Sequence, residues 1–136
     1  MEIDTQLIPS PPNSNAVLDR TVVVIDVLRA TSVIIQALSQ GALEIRPVAT
    51  VDEAFQMAKA LGESSMLLGG ERESKRVPGF DLGNSPKEYI AKKVRGKKLI
   101  LATTNGTKAL SAKTRSSLAF SGQKTEKLRI SKAQLS

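Results

Sequence analysis

The chain has 136 residues, 40% of them hydrophobic but only 3% aromatic, and it contains neither cysteine nor histidine. That is one domain's worth of chain or less, with an aliphatic core of Val, Ile, Leu and Ala. Disulfide frameworks, thiolate zinc sites, Cys or His nucleophiles and a His general base are excluded from this chain, which leaves carboxylates, hydroxyls, Lys, Arg, Tyr89 and backbone N–H groups for chemistry. The net charge is +7, yet residues 1–110 hold 14 Lys/Arg against 12 Asp/Glu, whereas residues 111–136 hold six Lys/Arg with Glu126 as the one acid. The excess therefore belongs mostly to the C-terminal stretch, which argues against a nucleic-acid partner for the rest. No apolar segment reaches the length of a membrane span or has the order of a signal peptide, so the expectation is a soluble, cytoplasmic protein.

Residues 1–20 open with MEIDTQLIPS, suited to a short edge strand, and Pro9-Ser10-Pro11-Pro12-Asn13 then forbids regular structure. Thr21-Val22-Val23-Val24-Ile25 is a β-branched run of the kind buried on both faces of a parallel sheet. Helical spacing of Val33, Ile34, Ala37 and Leu38 follows, closed by Gly41. Leu43–Val48 reads as a second strand. Thr50 and Glu53 form a capping-box pattern for a helix whose stripe is Ala54, Met57, Ala58 and Leu61, ended by Gly62. Ser65–Leu68 is a third strand. Glu73–Pro86 has no core pattern and reads as a long functional loop. Ser85 and Pro86 start a helix running through Tyr89, Ile90 and Val94. Leu99–Ala102 is a fourth strand, and a helix begins at Lys108-Ala109-Leu110. The alternation predicts an α/β fold with a largely parallel sheet and flanking helices.

Three polar clusters each follow an apolar strand at its carboxyl end: Asp26/Arg29/Thr31/Ser32, Gly69-Gly70-Glu71-Arg72 and Thr103-Thr104-Asn105-Gly106-Thr107. A parallel sheet brings such ends to one edge, where the loop carrying Gly79, Asp81, Gly83, Asn84 and Ser85 can cover them. The residue types suit an anionic substrate. Arg29 and Arg72 offer bidentate, charge-assisted bonds to phosphate or carboxylate. Gly70 and Gly106 let backbone N–H groups approach closely, and Thr104, Asn105, Thr107 and Ser85 add neutral donors. Asp26, Glu71 and Asp81 are hard oxygen ligands of the kind Mg²⁺ takes. Each cluster also has a purely structural reading: Asp26 as a helix cap or partner of Arg29, Gly69-Gly70 as a turn, Glu71-Arg72 as a surface ion pair, Thr104-Asn105-Gly106 as a left-handed turn. The basic run Lys92–Lys98 reads as a solvated helix end. No Walker-type loop and no GxGxxG follow the strands. An aspartate closing the first strand resembles the haloacid-dehalogenase-type phosphatases, but their second aspartate is Leu28 here.

The stretches VVVIDVLRATSVI (22–34), LLGGER (67–72), PGFDLGNSPKEY (78–89) and LATTNGTKAL (101–110) resemble, in order and spacing, the 2-phosphosulfolactate phosphatases, the ComB family. The resemblance covers residues 1–110. It implies a Mg²⁺-dependent phosphoric monoester hydrolase that converts 2-phospho-3-sulfolactate to sulfolactate and phosphate on the route to coenzyme M. It implies catalytic roles for Asp26, Arg29, Glu71 and Arg72, and substrate contacts from Thr31, Gly70, Asn84, Ser85, Thr104, Asn105, Gly106 and Thr107. Metal ligands would come from Asp26, Glu71 and Asp81. The partner is a small anionic phosphorylated molecule; whether the chain oligomerises is left open.

Ser32 and Ala102 stand where the family usually has Thr. Family members run to well over two hundred residues, while here the family pattern stops near Leu110 or Lys113. The expectation is therefore an incomplete domain, residues 1–110, followed by a basic, Ser-rich, disordered tail, residues 111–136, of the kind a frameshift or early stop produces. An inactive remnant is one rival reading. A basic-tail nucleic-acid binder is another, against which stand Phe120 as the tail's one aromatic residue and the absence of a recognition motif.

Overall fold

A computed structural model of the chain describes residues 25–62 and 66–107, and the backbone of 130–131. Helix α1, Ala30–Ser39, buries Ala30, Val33, Ile34, Ala37 and Leu38 on one face, as the spacing predicts. It closes in a Schellman motif: the Gly41 N–H donates to Leu38 and the Ala42 N–H to Ala37 (both 3.0 Å). Strand β1, Glu44–Val48, follows. Helix α2, Val51–Leu61, is capped by the Thr50 hydroxyl, which accepts from the Glu53 N–H at 3.1 Å. The Glu53 carboxylate reaches back to the Ala49 N–H, one residue beyond the usual capping-box partner.

Strand β2 spans Met66–Arg72 and does not stop at Leu68 as the sequence predicts. Gly69 and Gly70 stay in the ladder because β4 lies beside them, pairing Gly69 with Leu101 and Gly70 with Ala102. Strand β3, Lys75–Arg76, then turns back on β2 across a two-residue turn, Glu73 (φ 52°) and Ser74 (φ 64°). Both are left-handed, as tight hairpin turns require.

The stretch predicted as a structureless loop is therefore half built. Val77, Phe80 and Leu82 are buried, Leu82 bridges Gly69, and the Asp81 carboxylate accepts from the Leu68 N–H at 2.8 Å. The predicted helix from Ser85 is also corrected. It is a single 3₁₀ turn, Pro86–Glu88, followed by α3, Ala91–Val94. Between them Tyr89 leaves helical geometry (ψ 65°). Its fully buried ring directs the hydroxyl to the Gly83 carbonyl at 2.7 Å, and α3 restarts with the Ala91 N–H bonded to the Gln40 side chain.

Strand β4, Lys98–Ala102, is central. The sheet order is β3-β2-β4-β1-β5, with β2, β4 and β1 parallel and the two edge strands antiparallel. The α/β class and the largely parallel sheet are as predicted. Leu99 and Leu101 pack with Ile45 under α1, Tyr89 and Val94. Ile100 and Ala102 pack with Val48 and Leu68 under α2 and Phe80. Both faces are covered, which is why β4 reads as an unbroken apolar run. Strand β5, Ile130–Ser131, pairs with Ile45 and Glu44; the rest of 111–136 lies outside the described residues. So do the strand expected at 21–25, apart from Ile25, and the helix expected from Lys108, although Gly106 and Thr107 already have helical backbone. No helix among the described residues is long and apolar enough to cross a membrane.

Candidate active site

The carboxyl ends of β2 and β4 and the start of α1 enclose an open cleft of about 220 Å³. Its lining includes Asp26, Leu28 and Arg29 from the α1 approach, Glu71, Glu73 and Ser74 from β2 and its turn, Asn84 from the loop, and Thr103, Thr104 and Asn105 after β4. All three clusters singled out in the sequence thus contribute to one site.

Residues 26–29 are held by the hydroxyls beside them. Thr31 Oγ donates to the Asp26 carbonyl at 2.6 Å and accepts from the Asp26 N–H at 3.2 Å, and Ser32 Oγ donates to the Val27 carbonyl at 2.7 Å. Thr31 therefore braces the loop and does not line the cleft. Arg29 stands at the N-cap of α1, whose amino end has no side-chain cap and no acid in its first turn. The partial positive charge of that helix end adds to the guanidinium. The Asp26 carboxylate takes no partner among the described residues, so the cap and ion-pair readings of Asp26 are not what the structure has.

Glu71 is buried, with 7% of its surface exposed. Its Oε1 accepts from the Thr104 N–H at 2.7 Å, and its Oε2 accepts from the Thr104 hydroxyl at 3.0 Å and the Ser74 N–H at 2.9 Å. Burial pushes its pKa up, but these bonds, with the Arg72 charge nearby, outweigh that and hold it below the ordinary value. Thr107 is engaged too: its hydroxyl accepts from the Thr103 N–H at 2.7 Å, and its N–H donates to the Thr103 hydroxyl at 3.0 Å. The N–H and hydroxyl of Thr104, and those of Thr107, are thus taken within the protein.

Several predicted site residues stand outside the lining. Arg72 donates to the carbonyls of Ala49 (2.9 Å) and Glu71 (3.2 Å), joining the end of β1 to β2. Asp81 caps the Leu68 N–H. Ser85 leads into the 3₁₀ turn, its carbonyl accepting from the Glu88 N–H. Gly70 (φ 134°) lies against the Ala102 carbonyl so closely that a methyl group there would overlap it. Gly106 packs against Ala30 and the Asp26 carboxylate, where a side chain would likewise collide. Neither Gly69-Gly70 nor Thr104-Asn105-Gly106 forms the turn of the structural reading: the first pair is in β2, and none of the second three has a positive φ.

Sequence reasoning did not single out Leu28, Glu73, Ser74 or Thr103 as site residues. Thr103 opens a recognised cluster, although no site role was given to it. Glu73-Ser74 carries no Asn-Gly or Asp-Gly hairpin signal, so its turn was hidden. Among the described residues, the lining charges are Asp26, Glu71 and Glu73 against Arg29. Asn84 Oδ1 is buried with no donor among the described residues.

The family model for 2-phosphosulpholactate phosphatase matches residues 7–122. A protein of Caldanaerobacter subterraneus subsp. tengcongensis named probable 2-phosphosulfolactate phosphatase is 52% identical over 98 residues, covering 72% of this chain and 41% of its own length. Proteins of the same name from Clostridium beijerinckii (43% identical; 90% and 51% covered) and Clostridium perfringens strain SM101 (50% identical; 81% and 45% covered) are similarly related. The chain spans about half the length of these curated relatives.

Proposed function

The chain belongs to the 2-phosphosulpholactate phosphatase family, and from that premise we propose that its cleft is the phosphate site of a phosphoric monoester hydrolase. The substrate class is a small, multiply anionic phosphate ester, 2-phospho-3-sulfolactate or a close relative, cleaved to the hydroxy acid and phosphate. The observation that supports this most is the placement of Arg29. It occupies the N-cap position of α1, whose amino end has no side-chain cap among the described residues, and lines the cleft together with the Asp26 carboxylate, which takes no partner among the described residues. A guanidinium and a helix amino terminus are the two protein devices best suited to phosphoryl oxygens.

In hydrolysis a water oxygen bonds to phosphorus while the bond from phosphorus to the bridging ester oxygen breaks, and the departing alkoxide takes up the proton that the water gives up. Arg29 orients the phosphoryl group and balances charge on its oxygens. Asn105, exposed in the lining, is a neutral donor for the same group or the organic anion. Among the described residues of the lining, three acids against one base repel a phosphate dianion, and that imbalance fits a divalent cation. Asp26, with the neutral oxygen of Asn84 beside the cleft, is the residue that would hold it. Glu71 is less suited, since both its oxygens already accept hydrogen bonds, and Asp81 does not line the cleft. Mg²⁺, when bound, would supply charge neutralisation and a more acidic water.

The test is phosphate release from 2-phospho-3-sulfolactate by the full 136-residue chain with added MgCl₂. Arg29→Ala and Asp26→Asn should each abolish it. Release that persists in both variants would sink the assignment.

A further inference from the structure

We infer that Glu71 is a positioning residue whose carboxylate ties the Thr103–Asn105 loop to the β2–β3 turn and so sets the spacing of two cleft walls. The value of that spacing for ligand binding rests on the cleft being the phosphate site; the tie itself does not.

Glu71 sits near the end of β2, one strand away from the loop it holds. Its three donors come from both walls: the N–H and hydroxyl of Thr104 on one side, the Ser74 N–H on the other. Among the described residues, hydrogen bonding between the loop after β4 and the turn after β2 runs through this carboxylate. Ser74 is a non-glycine residue at φ 64°, a conformation that persists where surrounding contacts over-determine it. A carboxylate accepts at both oxygens; an amide accepts at one and donates at the other. Glu71→Gln therefore sets an N–H against an N–H on one wall. Three donors from within the protein take most of the carboxylate's acceptor positions, about four in all, so the residue acts on a ligand chiefly through Thr104 and Ser74.

Amide NMR spectra of the full 136-residue chain test the tie without any ligand. Thr104→Val, which removes only the hydroxyl donor, is expected to shift the Ser74 amide on the opposite wall, and Glu71→Gln to shift both Ser74 and Thr104. A Ser74 amide indifferent to Thr104→Val, in a folded variant, overturns the inference even if Glu71→Gln does not fold. Titration with inorganic phosphate in MgCl₂ gives the second readout. Glu71→Gln should weaken phosphate by about tenfold or more, the change expected for one lost charge-assisted hydrogen bond. Thr104→Val should add nothing on top of it, because both act through one contact. Unchanged phosphate affinity in folded Glu71→Gln overturns the positioning role. If the walls prove coupled but the parent chain and Arg29→Ala are equally indifferent to phosphate, the tie stands and the reading of the cleft falls.

Discussion

The hydroxyl of Tyr89 fills the space that a side chain at Gly69 would occupy, on its way to the Gly83 carbonyl 2.7 Å away. This contact seats Tyr89 against the middle of β2, to which the Asp81 bond to the Leu68 N–H and the Leu82 bridge to Gly69 also fasten the 77–89 segment. It takes Tyr89 out of the helix that the sequence predicts there, and it sets the approach of Asn84 to the cleft.

Gly69→Ala should accordingly be destabilising, by about 1–3 kcal/mol, the usual cost of forcing a methyl group into a packed core. Tyr89→Phe should cost less, about 1 kcal/mol, by leaving the Gly83 carbonyl without its donor. Burial, and secondarily Glu88, pushes the phenol pKa up, so Tyr89 remains a donor. Urea midpoints of the two variants would show the order; a larger loss in Tyr89→Phe than in Gly69→Ala would contradict it.

Arg29 and Arg72 should separate cleanly. Arg72 ties two strands through the Ala49 and Glu71 carbonyls, so Arg72→Ala is expected to lower stability by about 1–2 kcal/mol. Arg29 makes no side-chain bond among the described residues, so Arg29→Ala should leave the urea midpoint within about 0.5 kcal/mol of the parent while losing phosphate binding. The reverse pattern would exchange their roles.

Thr50→Ala removes the acceptor that caps α2. A loss of about 1 kcal/mol is expected, read as a shift of the urea midpoint with no change in slope. An unchanged midpoint would mean that the contact of α2 with the sheet holds the helix end without the cap.

Acid should loosen the site through Glu71. Its pKa lies below the ordinary 4.5 in the folded chain. A carboxylate lowered by folding contributes stability that is fully present above its unfolded value and disappears as pH falls through the folded one. The parent chain should therefore lose more stability than Glu71→Gln when the pH is taken from neutral to below 4.5, measured as urea midpoints at each pH. Parallel losses would show that Glu71 is not the group responsible.

What was legible in the sequence was local. The stripe of α1, the Thr50 cap, the closing Gly41 and the β4 run all follow from period and capping chemistry within a few residues, and all stand in the structure. The strand-end rule brought Glu71, Thr104 and Asn105 to one cleft, which Asp26 and Arg29 before α1 and Asn84 from the loop also line. The β2 extension, the Glu73-Ser74 turn and the broken helix at Tyr89 each depend on a partner far along the chain: β4 beside Gly69-Gly70, the Glu71 carboxylate on Ser74, and Gly83 with Gly69 around the Tyr89 hydroxyl.

The sequence by itself determined which residue types were available, the α/β alternation and the family, because composition, periodicity and motif spacing are properties of the chain alone. Only the tertiary structure decided which polar groups remain free. Glu71, Thr104 and Thr107 look like Asp26, Arg29 and Asn105 when read along the chain. Folding engages Glu71 with Thr104 and Ser74, and Thr107 with Thr103, because an unpaired polar group is costly once it is removed from water. The side chains of Asp26, Arg29 and Asn105, which have no partner among the described residues, are left at the cleft, where water or a ligand can take that place.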